Sequence, residues 1–368
     1  MSVKSSIGVL ANRLREPFEG PNTIGNTNGF WIGFLLTVLL FAIYPILFGP
    51  YAALNPAQFL VFALLAVSLT FIWGFCGILS FGQVAFFGVA GYTFGIVTIN
   101  IPTYTGATLG IIIAVAVATA FAAVIGYFMF YGGVRDVYVT ILTLVVALVL
   151  HTFMEQTAGS QWTIGEAHLG GYNGMNVPQD LAVGFGETGV AFDGVAHYYV
   201  VLFTLVVTYL LLRAVVNSRF GYAMVATRED EARTEMFGYN TTFIKLAAFT
   251  VGGAIAGISG VLFVTWGAYI NPSQFELVAA TMPVIYASIG GRKSFAGTIL
   301  AAVAIQYLEL QLTGEWAFVI VGSLLVLIIL TMPDGIAPRV RNLVLAVGEW
   351  RSNRDRSGQS PPAEEVSD

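Results

Sequence analysis

The sequence predicts an all-α, polytopic membrane protein with about ten transmembrane helices. Hydrophobic residues make up 57% of the 368 residues and charged residues only 10%, and the mean hydropathy is +0.78. So few polar groups could not cover a water-soluble globule. The apolar residues fall into runs close to the roughly 20 residues that a helix needs to cross a bilayer. Helices are favoured over strands because each helix satisfies its own backbone hydrogen bonds.

Residues 1–30 are predicted to form a cytoplasmic leader. Lys4, Arg13, Arg15 and Pro17 interrupt any apolar stretch long enough for a signal peptide. Apolar residues recur at helical spacing and predict a short helix lying on the membrane surface: Val3, Ile7, Leu10 and Leu14. A disordered leader is the alternative.

Residues 31–338 are predicted to form the transmembrane domain. Its apolar segments lie near 31–49, 57–75, 84–100, 107–131, 137–154, 196–213, 245–267, 276–290, 294–313 and 316–332. The segment at 276–290 contains Pro283 and is short for a full span, which suggests a broken or re-entrant helix. Eight full spans plus two half-spans are therefore the alternative to ten spans.

The basic residues set the predicted orientation, because Lys and Arg in short loops stay in the cytoplasm. With the N-terminus inside and alternating spans, all 16 Lys and Arg residues fall on one side. The outer segments then carry acidic residues: Glu155, Glu166, Asp180, Glu187, Asp193, Glu276 and Glu315. We therefore predict a multi-pass cell-membrane protein with both termini in the cytoplasm.

Two polar stretches lie outside the spans. The outer loop at 155–195 is rich in Gly and Asn, and loops of this length are uncommon unless they have a task. We favour a cap or a receptor contact over a plain solvated loop. Residues 351–368 are charged, contain Ser and Pro and are almost devoid of apolar residues, which predicts that the cytoplasmic tail at 339–368 is mostly disordered.

The polar interruption at 214–244 is predicted to dock another protein from the basic side. Residues 228–233 open a predicted short helix that ends at Gly238, and its charges suit a surface helix rather than a membrane span. The candidate docking residues are Arg228, Glu229, Asp230, Glu231, Ala232 and Gly238.

Residues 73–95 are rich in glycine and are the candidate solute path. Glycine lets membrane helices approach closely and lets a helix break where the freed backbone groups are satisfied. We predict a discontinuous helix at 77–83, where Ser80 and Gln83 are available to hydrogen-bond an amino or carboxyl group. Close packing plus a short loop between two spans is the alternative. The path candidates are Ser80, Gly82, Gln83, Gly88 and Gly91.

Several other chemistries lack support in the sequence. The spans carry few ionisable groups, which suits a neutral or zwitterionic solute, and Glu309 is expected at an interface. His151 and Glu155 share a helix face, but two ligands do not make a metal site. No phosphate-binding loop is present. The residues at 257–260 resemble half of a serine-nucleophile motif but predict a helix-packing face. We expect no cofactor, metal, catalytic residue or nucleic-acid partner.

Several stretches, in order along residues 60–338, resemble the branched-chain amino acid permease family of ABC importers (the LivH/LivM type, and more closely LivM). They are residues 79–83, 85–88, 91–93, 170–174, 218–221, 228–231, 238–240, 245–249, 271–273, 290–292 and 332–335. The segment at 226–240 is similar to the coupling helix that such permeases insert into an ATPase. Arg233 stands where the common motif repeats alanine, and Gly238 lies one position late.

The resemblance implies a pore-forming subunit without enzymatic activity. It would pair with a second permease subunit, two cytosolic ATPases that hydrolyse ATP, and an extracytoplasmic solute-binding protein. The receptor would contact Gly170, Gly171, Tyr172, Asn173 and Gly174. The same family includes permeases for urea and short amides, and the sequence does not separate these solutes from branched-chain amino acids. A self-contained channel or secondary transporter is the alternative from another class.

Overall fold

The computed structural model describes residues 15–23, 25–312, 316–332, 335–337 and 339. The helices are α1 (Asn28–Phe48), α2 (Leu54–Cys76), α3 (Gln83–Asn100), α4 (Tyr104–Tyr131), α5 (Val137–Glu155), α6 (Gly194–Val216), α7 (Arg219–Glu229), α8 (Glu231–Met236), α9 (Thr241–Gly267), α10 (Leu277–Gly290), α11 (Phe295–Gln311) and α12 (Trp316–Thr331). The strands are β1 (Thr163–Ile164), β2 (Ala167–His168), β3 (Met175–Asn176), β4 (Leu181–Phe185), β5 (Thr188–Phe192) and β6 (Tyr269–Ile270). The predicted surface helix at 3–14 and the tail from 340 onward lie outside the described residues.

The predicted polytopic helical fold is confirmed. In the described part of the chain, seven helices are long and apolar enough to cross a membrane, and α10, α11 and α12 are shorter apolar helices. Together they coincide with the predicted segments. The helices have a basic end, marked by Arg213, Arg228 and Lys293, and an acidic end, which carries residues 155–195.

Helix α2 is the centre of the bundle. In its most apolar stretch 89% of the residues are buried, against 11% in α1, which therefore lies at the periphery. Helix α2 packs against α6, α9, α10 and α11, while α3 and α4 both pack against α9. The small residues of α9 allow that close packing: a β-carbon added at Gly260 would lie 2.0 Å from the Phe87 carbonyl oxygen of α3. The run at 257–260 is thus a packing face, as predicted.

Helix α10 is too short for a full span. Its 14 residues are about 21 Å long, against about 30 Å of hydrocarbon. The helix begins at a depth between the two ends of α3, because Phe275, two residues before α10, packs on Gly88, which lies within α3. Pro283 lies inside the helix without ending it. The segment at 276–290, for which a broken or re-entrant helix was predicted, is therefore a shortened helix that follows a non-helical stretch.

The outer loop forms an ordered cap with more strand structure than an all-α prediction anticipates. β4 pairs with β5, β1 with β2, and β3 with the distant β6. The cap is tied to the helices by Asn100, whose side-chain amide donates to the Ile164 carbonyl at 2.8 Å. Thr108 exchanges two hydrogen bonds with the backbone of Gly184, at 2.9 and 3.0 Å. The cap is thus part of the folded structure, and its predicted receptor role stays a prediction.

The described part of the leader is fastened to α6 by Arg213. This side chain is 1% exposed, and its guanidinium donates to the carbonyl groups of Phe18 and Gly25, each at 3.0 Å. It also lies over the rings of Phe30 and Trp31, 4.7 and 5.1 Å from their centroids. Arg213 therefore joins the entry to α1 with the basic end of α6.

Candidate coupling and translocation site

The candidate docking segment consists of two helices rather than one. Helix α7 ends at Glu229, Asp230 is extended (φ −158°, ψ 98°), and α8 begins at Glu231. The Asp230 carboxylate accepts a hydrogen bond from the Arg233 backbone N–H at 2.9 Å, which is an N-cap. The prediction that a helix opens at Arg228 was wrong, because the capping preference of Asp230 separates Arg228 from the helix that follows.

Helix α8 ends in a glycine turn where the sequence predicts its end. Gly238 has a φ of +86°, a left-handed conformation that glycine adopts without a steric penalty, and its N–H donates to the Glu235 carbonyl at 2.8 Å. Two residues later, the Asn240 side chain accepts from the Phe243 N–H at 2.9 Å and caps α9. The short helix is therefore fixed by local hydrogen bonds at both ends.

The acidic residues of α8 point back to the start of α9. The Lys245 ammonium lies 2.6 Å from the Glu231 carboxylate, and both side chains are largely buried. The Thr241 hydroxyl donates to Glu235 at 2.6 Å and approaches Glu231 at 3.2 Å. Arg233 pairs only loosely with Asp230, at 3.4 Å, and is largely exposed. Thus Glu231 positions α8, whereas Ala232 and Arg233 face outward.

Arg228 connects the docking segment to the central helix. Its guanidinium donates to the Gly74 carbonyl in the last turn of α2 and pairs with Glu229. The fit is close, since a β-carbon at Gly77 would lie 2.9 Å from Arg228 Cγ. The pKa of the Glu229 carboxyl is lowered by the Arg228 hydrogen bond, by the Arg228 charge and by Lys293, whose ammonium is 4.0 Å away. A movement of α7 would therefore reach the end of α2 directly.

An apolar knob projects from the docking segment. Met236, Phe237 and Tyr239 are 86%, 76% and 55% exposed, and they flank the turn at Gly238. None of these three residues is among the docking candidates predicted from the sequence. The signal was available in the chain: three large apolar residues stand around a glycine in a polar stretch.

The chain is non-helical at 77–82, between α2 and α3, within the predicted discontinuous stretch. It folds back along α2, because Gln83 accepts a hydrogen bond from Ser68, which lies eight residues, or about 12 Å, before the end of α2. The freed backbone groups find partners on α5: Thr143 accepts from the Phe81 N–H at 3.2 Å, and Thr140 donates to the Leu79 carbonyl at 3.1 Å. Irregular backbone at membrane depth requires such burial in protein.

The path candidates fall into two groups along α3. Ser80 and Gln83 are each 1% exposed, and Gly82 packs on Thr143. The side-chain nitrogen of Gln83 has no hydrogen-bond partner among the described residues. Gly88 and Gly91 lie higher on α3 and are filled by side chains from the acidic end, Phe275 and Ile270. The structure thus places all five candidates on one continuous segment, which starts close to Arg228.

The receptor-contact candidates lie at the opposite end of the molecule. Residues Gly170, Gly171 and Gly174 have positive φ angles of 78°, 56° and 73°. Tyr172 is 76% exposed between them, and the Asn173 carbonyl accepts a hydrogen bond from the Tyr269 hydroxyl at 2.5 Å. This turn is therefore an exposed feature of the cap that is connected to the strand β6.

The bundle of apolar helices with a folded cap at one end is that of a multi-pass membrane protein. The chain belongs to the family described as branched-chain amino acid transport system / permease component, which matches residues 55–331. It is 26% identical over 326 residues to the high-affinity branched-chain amino acid transport system permease protein LivM of Salmonella typhimurium, covering 84% of this chain and 75% of that protein.

Two further relatives agree with this assignment. LivM of Escherichia coli is 25% identical over 299 residues, which is 77% of this chain and 69% of the relative. LivH of Escherichia coli is 26% identical over 291 residues, which is 76% of this chain and 91% of the relative. No solved structure gives a significant match.

Proposed function

We propose that this chain is the transmembrane permease subunit of an ABC importer for branched-chain or related neutral amino acids. The contact of Arg228 with Gly74 carries the proposal, because it links an exposed docking segment to the central helix. The relatives named as branched-chain amino acid permeases supply the solute class. The chain acts as a transport subunit rather than as an enzyme.

The orientation follows from the charges. The basic end faces the cytoplasm of the cell because loops rich in Lys and Arg are retained there, and both termini lie on that side. The cap then faces outward. Exposed apolar side chains on α1 and α4, among them Leu36 and Phe128 at 60% and 70% exposure, face lipid.

Cytosolic ATPase subunits dock on the knob at Met236, Phe237 and Tyr239. Large exposed aromatic residues are frequent anchors of protein interfaces. The surrounding residues Arg228, Glu229, Asp230, Glu231, Ala232 and Gly238 hold the two short helices in position and carry motion to α2. Two ATPases hydrolyse ATP, and this chain supplies no nucleotide site.

The other partners act at the remaining faces. A second permease subunit completes the pathway beside this chain. An extracytoplasmic solute-binding protein delivers solute to the cap, with Tyr172 as an exposed contact in the turn at Gly170, Gly171, Asn173 and Gly174. The solute is neutral or zwitterionic and passes the segment that contains Ser80, Gly82, Gln83, Gly88 and Gly91.

The experiment is uptake by proteoliposomes that contain this chain, its permease partner and the ATPases, with the solute-binding protein outside. Labelled leucine, isoleucine and valine should accumulate only with internal ATP, and labelled urea should not. Accumulation of urea alone would replace the proposed solute by a short amide. Uphill transport by the chain without ATPases would overturn the ABC assignment in favour of a secondary transporter.

A further inference from the structure

A groove along α3 is filled mainly by residues that come from the acidic end and lie outside the helices of the bundle. A β-carbon added at Gly88 would lie 2.3 Å from the ring of Phe275, and one at Gly91 would lie 2.4 Å from Ile270. Higher on the same helix, a β-carbon at Gly95 would lie 2.4 Å from the Met175 methyl group. Residues of the cap and of the 268–276 stretch therefore fill the space along three glycines of α3, joined at Gly91 by Val264 of α9.

Tyr92 lies in this groove with a polar group that nothing in the described structure uses. It is 2% exposed, and its ring stacks on Phe275 with centroids 6.0 Å apart and an angle of 14° between the planes. Its hydroxyl has no hydrogen-bond partner among the described residues. Buried hydroxyl groups nearly always have a partner, so this hydroxyl is available to bind a ligand.

Phe275 belongs to a segment that differs from the helices around it. It ends the short turn Pro272–Phe275, between the end of α9 and the start of α10, and is 0% exposed. Such a segment has few helical hydrogen bonds to break, so it can move more readily than α3 or α9. The removable part of the groove filling is therefore this stretch rather than a helix.

The same segment is attached to the cap. β6 pairs with β3 through Ile270 and Met175, and the Val177 N–H donates to the Ala268 carbonyl at 2.9 Å. β3 directly follows the receptor-contact candidates that end at Gly174. A displacement of the cap therefore acts on residues 268–275 through a hydrogen-bonded ladder.

The residue that follows Phe275, Glu276, lies close to His151 of α5. His151 on α5 lies between two carboxylates, with Nδ1 3.6 Å from Glu155 and Nε2 3.5 Å from Glu276. Because Glu276 directly follows Phe275, the segment that carries Phe275 lies beside α5 at this point. The segment is thus hydrogen-bonded to the cap through the strand pair and lies beside His151 at its other end.

We propose that Tyr92 is a solute-contacting residue on the outer half of the route and that Phe275 covers it until the receptor displaces the cap. The inference rests on the proposed function and adds a recognition group to it. When Phe275 withdraws, the Tyr92 hydroxyl donates a hydrogen bond to the carboxylate of the amino acid. The space vacated by the Phe275 ring accepts the apolar side chain of the solute.

The first test compares Tyr92→Phe with Tyr198→Phe in the reconstituted importer. Tyr198 is also a buried tyrosine, but its hydroxyl donates a hydrogen bond to the Phe41 carbonyl at 2.7 Å, away from the groove. Tyr92→Phe should raise the apparent KM for leucine about tenfold or more, as expected for a hydrogen bond to a charged group. Tyr198→Phe should leave the KM unchanged. An unchanged KM in both variants overturns the inference.

The second test measures how well Phe275 shields position 92 from solvent, and it does not require transport. Cys76 is the single cysteine, so Tyr92→Cys is placed in a Cys76→Ser background. An impermeant thiol reagent applied to the acidic side should label it slowly, and addition of Phe275→Ala should raise the labelling rate at least tenfold. Equal labelling rates with and without the Phe275 side chain would show that Phe275 does not cover position 92. If wild-type vesicles move no amino acid, the proposed function fails; if they do and Tyr92→Phe has a normal KM, only the inference fails.

Discussion

Arg228 on the docking segment donates a hydrogen bond to the backbone carbonyl of Gly74 in the last turn of α2. A cation at the C-terminal end of a helix satisfies free carbonyl groups and interacts favourably with the helix dipole. Since α2 is the most buried of the candidate spans, a single side chain, Arg228, connects the docking segment to the core of the bundle.

Arg228→Ala should uncouple ATP hydrolysis from uptake. Loss of a charged hydrogen bond weakens the connection by about 1.5–3 kcal/mol, so transport per ATP should fall roughly tenfold or more. The measurement is the ratio of leucine uptake to ATP hydrolysis in proteoliposomes. Arg135→Ala is the control, because Arg135 is exposed between α4 and α5, outside the docking segment. An equal ratio in wild type and Arg228→Ala would refute the connection.

Phe237→Ala should weaken binding of the ATPase subunits. Phe237 is 76% exposed, so its truncation should leave the thermal stability of the chain unchanged. An interface anchor is worth about 2 kcal/mol or more, which corresponds to a roughly thirtyfold rise in Kd. Binding of the purified ATPase by surface plasmon resonance measures it. Tyr138→Ala, at the equally exposed start of α5, should bind normally; a normal Kd for Phe237→Ala would remove the knob from the interface.

Gly238 should tolerate alanine and not proline. A β-carbon there meets no atom within 4 Å, so alanine would not clash with its surroundings. Its one cost is the left-handed backbone conformation, which disfavours alanine by about 1–2 kcal/mol. Proline cannot adopt a φ of +86° and lacks the N–H that binds Glu235. Gly238→Pro should abolish uptake and ATPase coupling while membrane insertion stays intact. Normal uptake by Gly238→Pro, measured with labelled leucine, would contradict the docking role.

The apolar segments could be predicted from the sequence because each has enough hydrophobic residues to cross a bilayer on its own. The local break at 77–83 was also visible, because Gly77 and Gly82 bracket it. The partners of its backbone, Thr140 and Thr143, were not, since they come from a helix about sixty residues away. Hydrogen bonds between residues this far apart in the sequence depend on tertiary packing, which a local sequence pattern does not predict.

The docking segment shows the same limit at shorter range. Its position and its end at Gly238 follow from composition and turn chemistry. Its division at Asp230 was missed because the acidic residues were interpreted as a continuous charged helix, although Asp is among the strongest N-cap residues. Arg213 is one of the 16 basic residues that the charge pattern places on the cytoplasmic side, and that pattern does not show that its side chain is buried among aromatic rings and carbonyl groups. Only the fold of the leader could reveal that environment.

Arg213→Lys should destabilise the chain despite the conserved charge. A single ammonium cannot replace a planar guanidinium that reaches two backbone carbonyls and stacks on Phe30. Leaving buried groups unpaired costs about 3–5 kcal/mol, which should lower the Tm of the detergent-solubilised protein by several degrees. Arg219→Lys is the control, because Arg219 is exposed at the start of α7. Equal Tm values for both variants would show that Arg213 does not fasten the leader.

The location of the knob tests the central claim most directly. Phe237→Cys in the Cys76→Ser background introduces one reactive thiol, since Cys76 is the single cysteine of the chain. An impermeant thiol reagent should label it in inside-out vesicles and not in intact cells, and bound ATPase subunits should protect it. Labelling from outside the cell, or labelling in inside-out vesicles that the ATPases do not change, would contradict a permease driven by cytosolic ATPases at this knob.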